Sequence, residues 1–127
     1  MLLMCLAGCG AQVPPGPETV PLSGKLVFTK GGKVSDLADH SVAVQFESVE
    51  DPQVQAFGTI LEDGSFSMVT QLENRGKPGV IPGTHRVRLN ADDSSARYVN
   101  PKFLNYKTFG TTITAPADKE VVLEVWK

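Results

Sequence analysis

Two histidines, His40 and His85, are the first candidates for proton transfer or metal ligation. Either role needs a carboxylate or a second ligand within reach. Asp36 and Asp39 lie close to His40 in the chain, and nothing comparable lies near His85. Neither spacing matches a catalytic or zinc motif, so both are expected in structural or surface roles. Among possible nucleophiles, Gly64-Ser65-Phe66-Ser67 is not a Gly-x-Ser-x-Gly elbow, and it sits between strand patterns instead of opening a helix. No glycine-rich loop leads into a helix, which leaves phosphate cradling without support. Asp92-Asp93-Ser94-Ser95 clusters the oxygen ligands that calcium favours. It is not an EF-hand pattern, and the expected structure is a solvated turn in which Asp and Ser bond their own backbone. No catalytic residue, metal site or cofactor is assigned, and the chain reads as non-enzymatic.

Aromatic side chains offer a different chemistry. The connection from Asp92 to Gly110 holds Tyr98, Phe103, Tyr106 and Phe109, four of the nine aromatics in the chain. Connections this long are uncommon unless they function or fold on themselves. Pro101 is placed to open a helical turn after Asn100. One reading makes the four aromatics a partner-binding loop, a platform for a sugar ring or a peptide. The other makes them a flap that caps one open end of the domain, since aromatics under long loops are ordinary satellite core. The partner, protein or glycan, has no identity at this level.

The two cysteines, Cys5 and Cys9, both lie near the start. The apolar run from Met1 to Leu6, followed by small residues, reads as the tail of a secretory signal. Leu6-Ala7-Gly8-Cys9 resembles the lipobox of bacterial lipoproteins. That resemblance implies cleavage before Cys9 and lipid on its sulfur, so neither cysteine remains for a disulfide. The positively charged opening of such a signal is missing and the apolar stretch is short, as if truncated. The alternative is a buried N-terminal strand in which Cys9 is incidental. Gly10 to Glu18 contains three prolines and two glycines and reads as an extended tether. The expected organisation is a signal at 1–8, a tether at 9–19 and one domain at 20–127. The expected setting is the bacterial cell envelope, facing the periplasm or the exterior, with membrane contact through the lipid on Cys9. A formal net charge of −2 with scattered lysines and arginines excludes a strongly basic nucleic-acid binder.

The elements that must position these residues follow a period of two. Leu22, Leu26 and Phe28 alternate with polar neighbours, as do Val42, Val44 and Phe46, then Phe66 and Met68, then His85, Val87 and Leu89, then Val121, Leu123 and Val125. Such alternation places one face on a core and the other in water. Seven strands are predicted: Val20–Lys30, Ser41–Val49, Val54–Leu61, Ser65–Thr70, Thr84–Asn90, Thr111–Ala115 and Glu120–Trp126. The segment Val54 to Leu61 carries apolar residues on both parities. Asp63-Gly64 reads as a hairpin turn. Lys77-Pro78-Gly79 and Ile81-Pro82-Gly83 are turn chemistry before the strand at Thr84. No window of eleven or more residues has a helical period. The expected fold is all-β, a seven-stranded antiparallel β-sandwich.

The order of these signals resembles a family. The opening strand runs Leu22-Ser23-Gly24-Lys25-Leu26-Val27-Phe28. The hairpin runs Ala56-Phe57-Gly58-Thr59-Ile60-Leu61-Glu62-Asp63-Gly64-Ser65-Phe66. A Pro-Gly strand opening runs Gly79-Val80-Ile81-Pro82-Gly83-Thr84-His85-Arg86-Val87. Together they resemble the small lipoproteins of planctomycete-type bacteria that carry a carboxypeptidase-regulatory-like, transthyretin-like β-sandwich. The resemblance spans nearly all of the expected mature chain and implies a Greek-key topology. It implies no activity, because fold does not fix function. The hydroxyisourate hydrolases of the transthyretin-like fold end in Tyr-Arg-Gly-Ser, whereas this sequence ends Val125-Trp126-Lys127.

Overall fold

The computed structural model describes residues 18–73 and 75–127. Nine strands occur among them, in two sheets. We number them β1 (Ser23–Lys30), β2 (Ala43–Ser48), β3 (Gln55–Thr59), β4 (Ser65–Ser67), β5 (Val69–Gln71), β6 (Gly76–Pro78), β7 (Gly83–Asn90), β8 (Thr112–Ala115) and β9 (Val121–Trp126). The three-stranded sheet has the order β9-β1-β4, and the six-stranded sheet has the order β6-β5-β3-β2-β7-β8.

The period-two reading places the core correctly. Leu26, Val44, Phe46, Val87 and Val125 are fully buried, and Phe66 and Leu123 nearly so. Both sheets contribute their apolar faces to one cluster. The segment with apolar residues on both parities resolves in the same way. Ala56 and Ile60 point inward, while Leu61 is left exposed.

The strand count and the all-antiparallel pairing need correction. The predicted strand Ser65–Thr70 is two strands, broken at Met68. There the chain leaves the three-stranded sheet and joins the six-stranded one. Met68 N–H donates to Leu22 O at 2.9 Å, and Gly79 N–H donates to Met68 O at 2.8 Å. Its side chain is buried between them. Lys77-Pro78, read as a turn, also forms the short strand β6 beside β5. The pair β9–β1 is parallel, with Val121 opposite Gly24 and Val125 opposite Phe28. Beta9 arrives from β8 in the other sheet and not through a hairpin, so the antiparallel constraint of a tight turn does not apply.

The turn at Asp63-Gly64 exists but does not join a paired hairpin. Its flanking strands, β3 and β4, belong to different sheets. Gly64 has φ +92°, and a Cβ there would strike the carbonyl oxygen of Leu26, so glycine is required on two counts. Three other short segments were not read as helices from period. These are α1 (Val34–Asp39), which buries Leu37, a 3-10 turn at Ala96–Tyr98 and α2 (Tyr106–Phe109). None is long enough to display a helical repeat. The turn foreseen at Pro101 is present as a 3-10 segment, Pro101–Leu104, with the Asn100 side chain accepting from Lys102 N–H.

Candidate functional site

The Asp92–Gly110 connection folds on itself. Asp92 Oδ1 accepts from the N–H groups of Ser94 and Ser95 at 3.0 and 2.9 Å and from both serine hydroxyls at 2.8 and 2.9 Å. These bonds to the charged form hold its carboxyl below the usual carboxylate range, the Ser94 hydroxyl contributing most. That oxygen is engaged in the turn and matches the solvated-turn reading. Asn105 then accepts from Lys107 N–H at 2.8 Å and starts α2. Gly110, at φ +71°, ends it.

This path distributes the four aromatics unequally. Phe103 and Phe109 are buried and meet edge to face at 4.9 Å. Phe103 also meets Trp126 edge to face at 4.7 Å. These rings close one end of the core. Tyr98 stacks on His40 at 4.3 Å, and its hydroxyl accepts from Arg97 at 2.9 Å. The Arg97 guanidinium lies 5.0 Å from the same ring, so Tyr98 already has partners for its ring and its hydroxyl. Tyr106 differs from the other three. It lies half-buried against the outer face of the six-stranded sheet, with the Arg88 guanidinium 5.0 Å from its ring.

A polar arrangement lies beneath Tyr106. Register aligns Gln45 with Arg88 and Glu47 with Arg86 on β2 and β7, and Arg86 with Thr112 on β8. Arg86 pairs with Glu47 at 3.1 Å. Gln45 donates to Gln55 at 2.8 Å and accepts from Arg88 Nε at 2.8 Å. Gln45 is only 3% exposed, which is unusual for the outward face of a sheet. Its amide is committed to holding the Arg88 guanidinium. Beta8 begins at Thr112, so its ladder with β7 stops at Arg86; beyond that point Tyr106 covers Arg88.

The Tyr106 hydroxyl is buried and takes no hydrogen bond among the described residues. Burial pushes its pKa above the usual tyrosine range. Arg88 opposes this shift and Glu47 adds to it. Arg88 is near enough to act on the hydroxyl through its charge, but it makes no well-aligned bond to it. Beside Tyr106 runs a groove of about 510 Å³ lined by Glu47, Arg86, Asn105, Tyr106, Lys107 and Thr112, among others. Tyr106 thus faces a cavity. The rest of the groove, Arg86 and Glu47 above all, was missed from sequence. The signal was present in the polar parities Arg86/Arg88 and Gln45/Glu47. What was missing was the register that puts them side by side.

The other candidates separate. His40 Nδ1 donates to Asp36 O at 2.7 Å, and His85 is buried with Nε2 2.8 Å from Ile81 O and its ring tilted on Phe46. Ser65 bonds Asp63 at both N–H and hydroxyl, at 2.9 and 2.7 Å. Cys9 lies outside the described residues. No protein-family model matches the chain, and no curated protein or solved structure matches it either.

Proposed function

We propose that this chain is a non-enzymatic interaction module of the bacterial cell envelope, anchored by lipid on Cys9 and built as a transthyretin-like β-sandwich. The sandwich reading is supported by two sheets that bury their apolar faces in one cluster. The anchored reading is supported above all by the polarity of the domain. Thr19 Oγ1 donates to Pro78 O at 2.7 Å, and Val20 pairs with Val80. The chain therefore leaves the domain toward Cys9 at the start of β1. Trp126, Phe103 and the folded aromatic connection sit at the other end of β1, since Trp126 is in register with Lys30 and its carbonyl accepts from Asn100. An anchor at one end and a shaped loop at the other suits a module held out toward a partner.

The test is detergent-phase partition of the chain expressed in a bacterium that processes lipoproteins. The wild type is expected in the detergent phase with a mass increased by lipid and lacking residues 1–8. Cys9→Ser is expected in the aqueous phase, still folded. A wild-type chain that keeps Met1 and its unmodified mass would refute the anchor.

A second reading, capture of a carbohydrate or a peptide, draws support from the groove beside Tyr106. A concave site with an aromatic wall and a few convergent polar groups is the usual form of a small-ligand site. Its size suits one or two sugar rings.

A further inference from the structure

The groove carries its own charge signature. Arg86 and Lys107 line it, and Arg88 lies directly behind Tyr106. Against these three cations stands one carboxylate, Glu47, already paired with Arg86. Neither Arg88 nor Lys107 has a carboxylate partner among the described residues. The imbalance runs against the molecule as a whole, whose net charge is −2. Arg88 is also pre-oriented. The buried Gln45, itself fixed by Gln55, takes its Nε, while the Tyr106 ring packs on the guanidinium. The rest of the guanidinium lies under the Tyr106 ring and acts on its hydroxyl. Arg86 and Lys107 are therefore the cations that a ligand in the groove would meet.

The orientation of the groove bears on the ligand's shape. Glu47, Arg86 and Thr112 form a row across three adjacent strands, and Asn105 to Lys107 walls it. The groove therefore crosses the sheet face and does not follow the free edge of β8. An extended peptide lying there would gain no ladder of strand hydrogen bonds. A flat ring with hydroxyls fits better. Tyr106 offers an apolar wall, and Asn105, Thr112 and Glu47 offer hydrogen-bonding groups.

We infer that this groove binds an acidic saccharide, a sugar bearing a carboxylate of the uronic-acid type, with its ring against Tyr106 and its carboxylate drawn to Arg86 and Lys107. This rests on the carbohydrate-capture reading and narrows it to a charge class.

The experiment titrates the full chain with a short galacturonate oligosaccharide and with the neutral galactose oligosaccharide of the same length, by calorimetry at low and high salt. The acidic sugar is expected to bind about tenfold or more tightly at low salt, and to lose most of that preference at high salt. Lys107→Gln, an exposed substitution that leaves the core untouched, is expected to weaken the acidic sugar by about three- to fivefold and the neutral one little. Arg86→Gln is expected to abolish the preference, and Tyr106→Ala to weaken both sugars. Unchanged melting of Lys107→Gln guards the result against unfolding. Equal binding of the two sugars, or no effect of Lys107→Gln, overturns the acidic assignment and leaves carbohydrate capture standing. If neither sugar binds, or only a short acidic peptide does, both fall, while the lipid anchor is judged separately by detergent partition.

Discussion

At the scale of single residues, the chain separates its aromatic side chains into packing and presentation. Phe66 and Val87 sit at the centre of the core. Phe66→Ala is expected to cost about 3–5 kcal/mol and Val87→Ala somewhat less, read from denaturant unfolding. A change below about 0.5 kcal/mol at both would contradict the observed register. Phe103→Ala and Phe109→Ala should also lower the melting temperature, because both rings close the core against Trp126 and each other. Tyr106 adds a pH signature. Its raised pKa keeps the hydroxyl protonated in the folded chain at pH values where the unfolded chain has begun to lose that proton. Folding stability therefore declines as pH climbs through about 10, the ordinary tyrosine value. Tyr106→Phe is expected to flatten part of that decline when urea midpoints at pH 9 and 11 are compared. An identical decline in the variant would mean that the hydroxyl is not held neutral by its surroundings. The roles of Phe66 and Val87 were legible because parity alone decides them. The special position of Tyr106 was not, because it depends on Arg88 and Gln45, brought beneath it by register.

At the scale of elements, turn chemistry was read correctly and its consequence was not. Asp63-Gly64 does reverse the chain, and Ser65 locks the turn by bonding Asp63. The strands on either side then part company and enter different sheets. Local residues specify a turn within four positions, whereas the sheet that a strand joins is decided by partners tens of residues away. The same limit hid the break at Met68 and the parallel pairing of β9 with β1. Short helices escaped for another reason: α1 spans Val34–Asp39, fewer than two turns, so no periodic face can develop. Gly64 provides the test of this level. Gly64→Ala places a Cβ against the Leu26 carbonyl oxygen at a backbone angle that disfavours any side chain. The substitution is expected to destabilise the domain by more than about 1 kcal/mol. A neutral outcome would show that the turn relaxes freely and does not fix the approach of β4 to β1.

At the scale of the whole molecule, the arrangement is directional. Beta1 spans eight residues, about 26 Å at strand rise, and separates Thr19 and Val20 from the aromatic end. The groove beside Tyr106 opens on the outer face of the larger sheet, away from the shared core. For a chain anchored through Cys9, Tyr106 would then be reachable by a partner that never touches the membrane. Removing residues 1–17 should therefore leave saccharide binding by the domain unaltered, measured by the same calorimetry. Weakened binding would instead implicate the anchoring segment in the site. The aromatic connection was legible as a long segment between two strands, but not the end of β1 at which it would lie. Its placement at the Lys30 end of β1 required the parallel register of β9.

That register also sets an order of assembly. Beta1 has only Ser23–Lys25 paired with β4, while β9 runs beside it from Gly24 to Lys30. Its main partner is thus made roughly a hundred residues later. A chain still emerging from a ribosome cannot complete its smaller sheet until Val121–Trp126 has appeared. Closing such distant contacts slows folding. The six strands of the larger sheet all precede Val121, so that sheet can form while the smaller one still waits for its last member.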